Sequence, residues 1–303
     1  MINITHKNTT LRTAIAQAIV KVSAKETMQA LLEKRVPKGD VFEMAKTAGL
    51  FAAKRTSDVI PDCHPLPIEF TQIRFSTSDL TIFIEAEVHT VYKTGVEVEA
   101  MHAASVVALT MYDMLKPIDK NITIEQIKLL EKQGGKSSFI KQELKGLKAA
   151  VIVCSDSISK GVKEDRAGKA IIEKLKIYGV EIAAYEIIPD EELNIKERLN
   201  VFVQQKTNLI IYTGGTGLSP RDVTTQAIEP LLQKRIPGIE EAIRAYGQQR
   251  TPFSMLSRSV AGLINNTLVL ALPGSTRGAS ESMDAVFPHL LHVFRVLKGA
   301  NHD

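Results

Sequence analysis

Cysteine is scarce in this 303-residue chain: there are two, Cys63 and Cys154, one in each half. Two thiols cannot build a disulfide framework or a cysteine-rich zinc site, and such sparing use fits a reducing compartment. No run reaches the ~18 apolar residues of a membrane span. The opening Met1-Ile2-Asn3-Ile4-Thr5-His6-Lys7 lacks the apolar core of a signal peptide. A soluble cytoplasmic protein is the expectation. A basic arm is missing too. Residues 1–146 carry 19 Lys+Arg and 17 Asp+Glu, and residues 147–303 carry 19 and 17 again, so the net charge of +4 is not localised. Nucleic-acid binding therefore has little support, whereas a pI near 8.9 suits anionic small substrates.

What is present is the composition of a globular protein, 44% hydrophobic and 24% charged. The length suits two cores of about 150 residues each. Residues 9–35 have helical spacing, with Ala14, Ala18 and Val22, then Met28, Leu31 and Leu32, on recurring faces. Pro37 and Gly39 end that segment, and Asp40 can cap a second helix through Ala45, Ala48 and Ala52 to Lys54-Arg55-Thr56. Its alanines and Gly49 call for close packing. Three prolines stiffen Ile60–Pro67 and fix His64 in a turn. Ile68–Ser76 and Leu80–Tyr92 alternate as a hairpin around Thr77-Ser78-Asp79. A long helix then runs to about Lys116, where Pro117 ends it. Asp113 and Lys116 share one side of its last turn, and on spacing alone they form a surface ion pair. A strand at Ile122–Glu131 precedes a mobile basic loop, Lys132-Gln133-Gly134-Gly135-Lys136-Ser137-Ser138.

A linker at 141–147 separates a domain at 1–140 from one at 148–303, where the pattern changes. Strands at Ala150–Cys154, Ile182–Ile187, Leu209–Thr213 and Thr267–Leu272 alternate with helices at Gly168–Tyr178, Glu197–Gln205 and Thr225–Gln233. Such alternation argues an α/β layer structure whose parallel sheet is covered on both faces. Its ligand site belongs beyond the carboxyl ends of the strands. Four polar loops gather on that rim: Ser155-Asp156 onward, Pro189-Asp190-Glu191-Glu192, Thr213–Thr225, and Pro273-Gly274-Ser275-Thr276. The third reads Thr213-Gly214-Gly215-Thr216-Gly217-Leu218-Ser219-Pro220-Arg221-Asp222-Val223-Thr224-Thr225. Glycines let backbone N–H groups approach a phosphate, and Asp222 beside it makes sense as a magnesium ligand. It is neither a Walker loop, lacking Gly-Lys-Ser/Thr, nor a dinucleotide fingerprint, since Pro220 replaces the third glycine.

Motifs in both halves resemble families of molybdenum cofactor synthesis. The first half is similar to the MoaC family through Lys38-Gly39-Asp40-Val41-Phe42, Ala53-Lys54-Arg55-Thr56, Cys63-His64-Pro65-Leu66, Thr94-Gly95-Val96-Glu97-Val98-Glu99-Ala100, Tyr112-Asp113-Met114-Leu115-Lys116 and Lys132–Lys136. The resemblance implies a ferredoxin-like α+β subunit. Its reaction turns a cyclised dihydroguanosine triphosphate into cyclic pyranopterin monophosphate with loss of pyrophosphate. The family's catalytic positions fall on Lys38, Asp113 and Lys116. Asp62, Cys63, His64, Glu97, Val98 and Glu99 are implied substrate contacts, and Lys54, Arg55, Lys132 and Lys136 supply positive charge for the triphosphate. No tightly bound cofactor is expected there. The sequence departs from the family at Asn3 and Asp62, where an acid and a leucine are usual.

The second half resembles the MogA/MoaB family through Ser155-Asp156, Ile188-Pro189-Asp190-Glu191, Thr213–Thr225, Ser257-Arg258 and Leu272-Pro273-Gly274-Ser275. That implies adenylylation of molybdopterin by Mg-ATP. Asp190 and Asp222 match the family's key acids and implied metal ligands. Gly214, Gly215, Thr216 and Gly217, with Pro273, Gly274 and Ser275, cradle the pterin phosphate or the nucleotide. Ser155 and Asp156 are either ligand contacts or a helix cap. Related domains also serve as pterin-binding or scaffolding modules, so a half without turnover is the alternative. Both families form homo-oligomers, and no membrane or nucleic-acid partner is implied.

Overall fold

Twelve consecutive residues that look helical by spacing, Thr10–Lys21, form a strand (β1) in the computed structural model, which describes residues 1–135 and 146–299. The expected helix over 9–35 is thus corrected to β1 followed by a short helix, α1 (Lys25–Leu32). Ala14 and Ala18 lie four apart and fit either period. Ala16 and Val20 complete a two-residue alternation, all four buried on one face. Alanine's helical preference yields to tertiary pairing, because β1 is hydrogen-bonded along both sides, to β3 (Thr81–Tyr92) and β4 (Thr123–Gln133).

The chain divides into two compact units, Met1–Ser138 and Phe139–Asp303. In the first, α2 (Val41–Lys54) starts at Asp40, whose carboxylate accepts from Glu43 N at 3.2 Å. A short α3 (Thr56–Val59), β2 (Phe70–Ser78) and the 19-residue α4 (Glu97–Leu115) follow. The four strands make one antiparallel sheet in the order β2-β3-β1-β4, the ferredoxin-like α+β arrangement. The β2–β3 turn falls at Asp79-Leu80, one residue later than expected, with Asp79 at φ +50°. Gly49 lets α2 approach α4, since a Cβ there would collide with Ile73 Cδ1 and Val107 Cγ2. Thr56 Oγ1 lies 3.1 Å from His102 Nδ1. The two helices therefore run antiparallel, Lys38 at one end and Lys54-Arg55 at the other. β4 continues through Lys132 and Gln133, which are strand rather than mobile loop. Lys136 and residues 141–145 of the expected linker lie outside the described residues.

The second unit contains β5 (Lys148–Cys154), α5 (Asp156–Ser159), α6 (Ala167–Ile177), β6 (Glu181–Ile188), α7 (Glu192–Gln204), β7 (Leu209–Thr213), α8 (Thr224–Ile228), β8 (Lys234–Arg235), α9 (Pro237–Gln248), β9 (Val260–Ile264), β10 (Thr267–Leu272) and α10 (Thr276–Val286). Its six-stranded sheet runs β6-β5-β7-β10-β9-β8. The first four strands are parallel, and β9 and β8 are antiparallel additions that the sequence reading missed. β7 and β10 are buried throughout, β5 beyond its first residue, and apolar clusters cover both faces. α8 stops at Ile228 instead of reaching Gln233, because Pro230 allows only a 3₁₀ turn there. Among the described residues no helix is long and apolar enough to cross a membrane.

Candidate active sites

In the first unit the α2 and α4 ends bring three charges together. Lys38 Nζ donates to Asp113 Oδ2 at 2.7 Å and to its carbonyl at 2.9 Å, while Lys116 Nζ lies 2.6 Å from Asp113 Oδ1. The predicted trio is therefore one cluster, not a lone pair at i and i+3. The two ammonium groups hold the Asp113 carboxyl down to about 2, Lys116 contributing more than Lys38. Asp113 in turn raises Lys116.

The other predicted contacts sit at the opposite end of α4. Cys63 Sγ donates to Glu99 Oε1 at 3.1 Å, and Glu99 is 2% exposed with Oε2 buried and without a partner among the described residues. Burial, then Glu99, pushes the Cys63 thiol up to about 12, and burial raises Glu99 itself. Lys132 Nζ donates to Glu97 Oε1 at 3.1 Å. His64 is half-buried in the same turn as Cys63, and Lys54, Arg55 and Val98 are exposed at this end. Arg12 was missed from sequence. It is 9% exposed, donates to Tyr92 O at 3.3 Å and feels the charge of Glu97, and its guanidinium lies where a Cβ on Gly135 would be. Its place beside the glycine pair 134–135, at φ of +89° and +93°, is set by the fold and has no counterpart in sequence spacing. Asp62 is not brought in: its side chain is 88% exposed and pairs with the Met1 amino group. Asn3 accepts from Thr5 N and Oγ1 in a local turn. Fourteen residues of helix separate Glu99 from Asp113, ~21 Å along the axis. The two clusters therefore lie at opposite ends of α4.

In the second unit the four polar loops meet at the carboxyl ends of β5, β6, β7 and β10, as expected. Asp156 N donates to Asp190 Oδ2 and Asp190 N to Asp156 Oδ1, each at 3.2 Å, so the two loops clamp each other. Burial first, with Asp156 and Asp222 adding to it, raises the Asp190 carboxyl. Asp190 Oδ1 is buried with no hydrogen-bond partner among the described residues, and it lines with Thr224 Oγ1 the space where a Cβ on Gly215 would point. Gly214 (φ +102°) and Gly215 (φ +62°) give the backbone this path. A Cβ on Gly217 would meet Asp222, and one on Gly274 would meet the Gly214 Cα. Asp222 does not cap α8 but accepts from Ser219 N at 2.8 Å. Thr216 is buried behind the loop, its carbonyl accepting from Arg258 N. Among the described residues Arg258 makes no ion pair; it donates to Gly217 O and Asp222 O at 2.7 and 2.6 Å and stiffens the loop. Ser155 caps α5, accepting from Ile158 N at 3.4 Å. Ser275 caps α10 and, with Pro273, borders a cleft of about 440 Å³ lined also by Ser257 of the Ser257-Arg258 motif and by Phe253, Arg277 and Glu281, whose spacing carries no signal of it.

Among the described residues no three His, Cys, Asp or Glu side chains are placed to hold a metal by themselves. Two aspartates, one with an orphaned oxygen, fit a magnesium ion whose remaining ligands are phosphate oxygens and water.

Known proteins divide along the same line. The MoaC family model matches residues 1–135, and one described as "Probable molybdopterin binding domain" matches residues 150–292. The chain is 40% identical over 302 residues to the molybdenum cofactor biosynthesis bifunctional protein of Chlorobaculum tepidum, covering 100% of this chain and 96% of that one. The protein of the same name in Synechococcus elongatus is 40% identical over 315 residues, with 100% and 98% covered. The first half is 48% identical over 145 residues to the cyclic pyranopterin monophosphate synthase of Nitratidesulfovibrio vulgaris, covering 47% of this chain and 89% of that protein. A crystal structure of the molybdopterin biosynthesis enzyme MoaB from Thermus thermophilus is 40% identical, covers 52% of this chain and 99% of its own, and has a TM-score of 0.49.

Proposed function

This chain belongs to the family of bifunctional molybdenum cofactor biosynthesis proteins, and from that premise we propose how each half of the enzyme works. The first domain, 1–140, converts the cyclised dihydroguanosine triphosphate to cyclic pyranopterin monophosphate and pyrophosphate. The second, 148–303 beyond a linker at 141–147, transfers adenylate from ATP to the molybdopterin phosphate and releases pyrophosphate.

The observation that carries the first reading is the carboxylate of Asp113 gripped by two lysines. Asp113 aims both ammonium groups and raises Lys116, so Lys116 gives up a proton only to a strongly basic site developing on the substrate. Lys38 is the second acid or a phosphate contact. Glu97 and Glu99 suit the N–H groups of a guanine-derived ring, with Cys63 orienting Glu99 and with Arg12 and Lys132 supplying charge nearby. A site that needs both ends of α4 cannot be closed within one subunit. The reading is therefore a homo-oligomer in which one copy supplies the Lys38–Asp113–Lys116 cluster and another the Glu99 cluster.

For the second domain the carrying observation is the unpartnered Asp190 Oδ1 facing the glycine loop beside Asp222. Asp190 and Asp222 would hold magnesium, which when bound with ATP neutralises charge around the α-phosphorus. The Gly214–Gly217 backbone and Ser275 orient the phosphates, and the cleft beside Ser275 has room for the pterin. The test is incubation of the full chain with molybdopterin, ATP and magnesium. Transfer of AMP to the pterin is expected. Pterin binding without ATP consumption would leave a binding module in place of a transferase.

A further inference from the structure

Asp156, Asp190 and Asp222 share the rim of the second unit with Glu191 and Glu192, and a triphosphate approaching them meets like charge. Arg221 is a guanidinium directed at one of them, Asp156. Its Nε donates to Asp156 Oδ2 at 3.1 Å and its Nη2 to the same oxygen. Arg258 is committed to two backbone carbonyls, and Lys160 acts on Asp156 through charge alone. Asp156 cannot follow Arg221 if the pair opens, because the reciprocal bonds with Asp190 fix it. The Arg221 backbone is equally fixed. It sits on a tight turn closed by Asp222 N to Ser219 O at 2.9 Å and by Ser219 N to the Asp222 carboxylate. Its side chain, 64% exposed, is the part free to change partner.

An exposed arginine–carboxylate pair is weak, whereas a phosphate offers the same fork two oxygens and more charge. The geometry points to Arg221 as the side chain that grips the phosphates of the incoming nucleotide, held ready by Asp156 until they arrive. This rests on the adenylylation reading. Asp156 is then a positioning residue that competes with the nucleotide for Arg221.

Opposite responses to two substitutions test it. Mg-ATP binding is measured by calorimetry on the full chain, with Lys38→Ala and Lys116→Ala in every sample so that the first unit's lysine cluster does not contribute. Arg221→Ala is expected to weaken ATP binding about tenfold or more, and Arg221→Lys to lie between, since an ammonium lacks the fork. Asp156→Asn removes the competitor and is expected to bind ATP as tightly as the parent or more so. If both Arg221→Ala and Asp156→Asn weaken binding, the pair is only a strap between loops and the inference is overturned. It is overturned alone if the parent binds ATP and Arg221→Ala binds it equally well. A parent that binds no ATP overturns the adenylylation reading and the inference with it. Unchanged thermal unfolding of Arg221→Ala would confirm that the comparison concerns the site and not the fold.

Discussion

The two candidate sites treat an aspartate in opposite ways. Asp113 is half-exposed between two lysines, which hold its carboxyl far down. Asp190 is partly buried beside Asp156 and Asp222, and its carboxyl is raised. On the proposed reading the first site would present cations to a phosphorylated substrate directly, and the second would present carboxylates and take its positive charge from what comes with the nucleotide or from Arg221. What separates the two aspartates is the company each keeps.

The largest effect expected is in the first unit. Lys116→Ala and Glu99→Gln should each cut cyclic pyranopterin monophosphate formation ~100-fold or more. If the site joins two copies, mixing the two inactive variants through dissociation and reassembly restores roughly a quarter of the sites. No recovery from a mixture shown to have exchanged subunits would remove the shared-site reading. A smaller effect sets the two aspartates against each other. A raised Asp190 costs the fold stability at neutral pH, and the cost vanishes as pH falls through its raised value toward the ordinary 3.8. Asp190→Asn should therefore raise the melting temperature of the second unit by a few degrees near pH 7 while lowering AMP transfer. The lowered Asp113 works the other way. Its contribution is present above 3.8 and is lost as pH falls toward about 2, so Asp113→Asn should give no such rise. Carbon-13 titration sharpens the contrast: Asp113 should show a midpoint of about 2, and Lys116→Met should move it back toward 3.8. The smallest effect concerns Cys63. With its thiol pushed up to about 12, alkylation at pH 8 should be slow, and Glu99→Gln should speed it modestly.

Much of this was legible in the residues. The continuous apolar runs of β5, β7 and β10 announced a sheet buried on both faces, and the polar loops after them announced the rim. β1 was misread because alanines four apart satisfy both periods, and only pairing with β3 and β4 decides between them. Of the elements missed, β8 is only two exposed residues, Lys234-Arg235, and β9 is a five-residue apolar run holding Gly262, whereas the helix before β9 is amphipathic and was open to a reading from its spacing. At the sites, Lys38, Asp113 and Lys116 came together as their motifs implied. Arg12 escaped notice because burial of an arginine depends on the fold around it, and Arg221 because a loop arginine has no periodicity to betray its partner. That Glu99 and Asp113 stand at opposite ends of one helix was countable from the sequence, since both lie on it, but its meaning required knowing which end each neighbour joins.

The most direct test is pyrophosphate release from both substrate sets by the full chain carrying Asp113→Ala or Asp222→Ala. Two self-sufficient chemistries predict that Asp113→Ala loses release from the cyclised dihydroguanosine triphosphate and keeps it from ATP with molybdopterin, while Asp222→Ala does the reverse. Retention of AMP transfer in Asp222→Ala, or loss of both reactions in either variant, would contradict it.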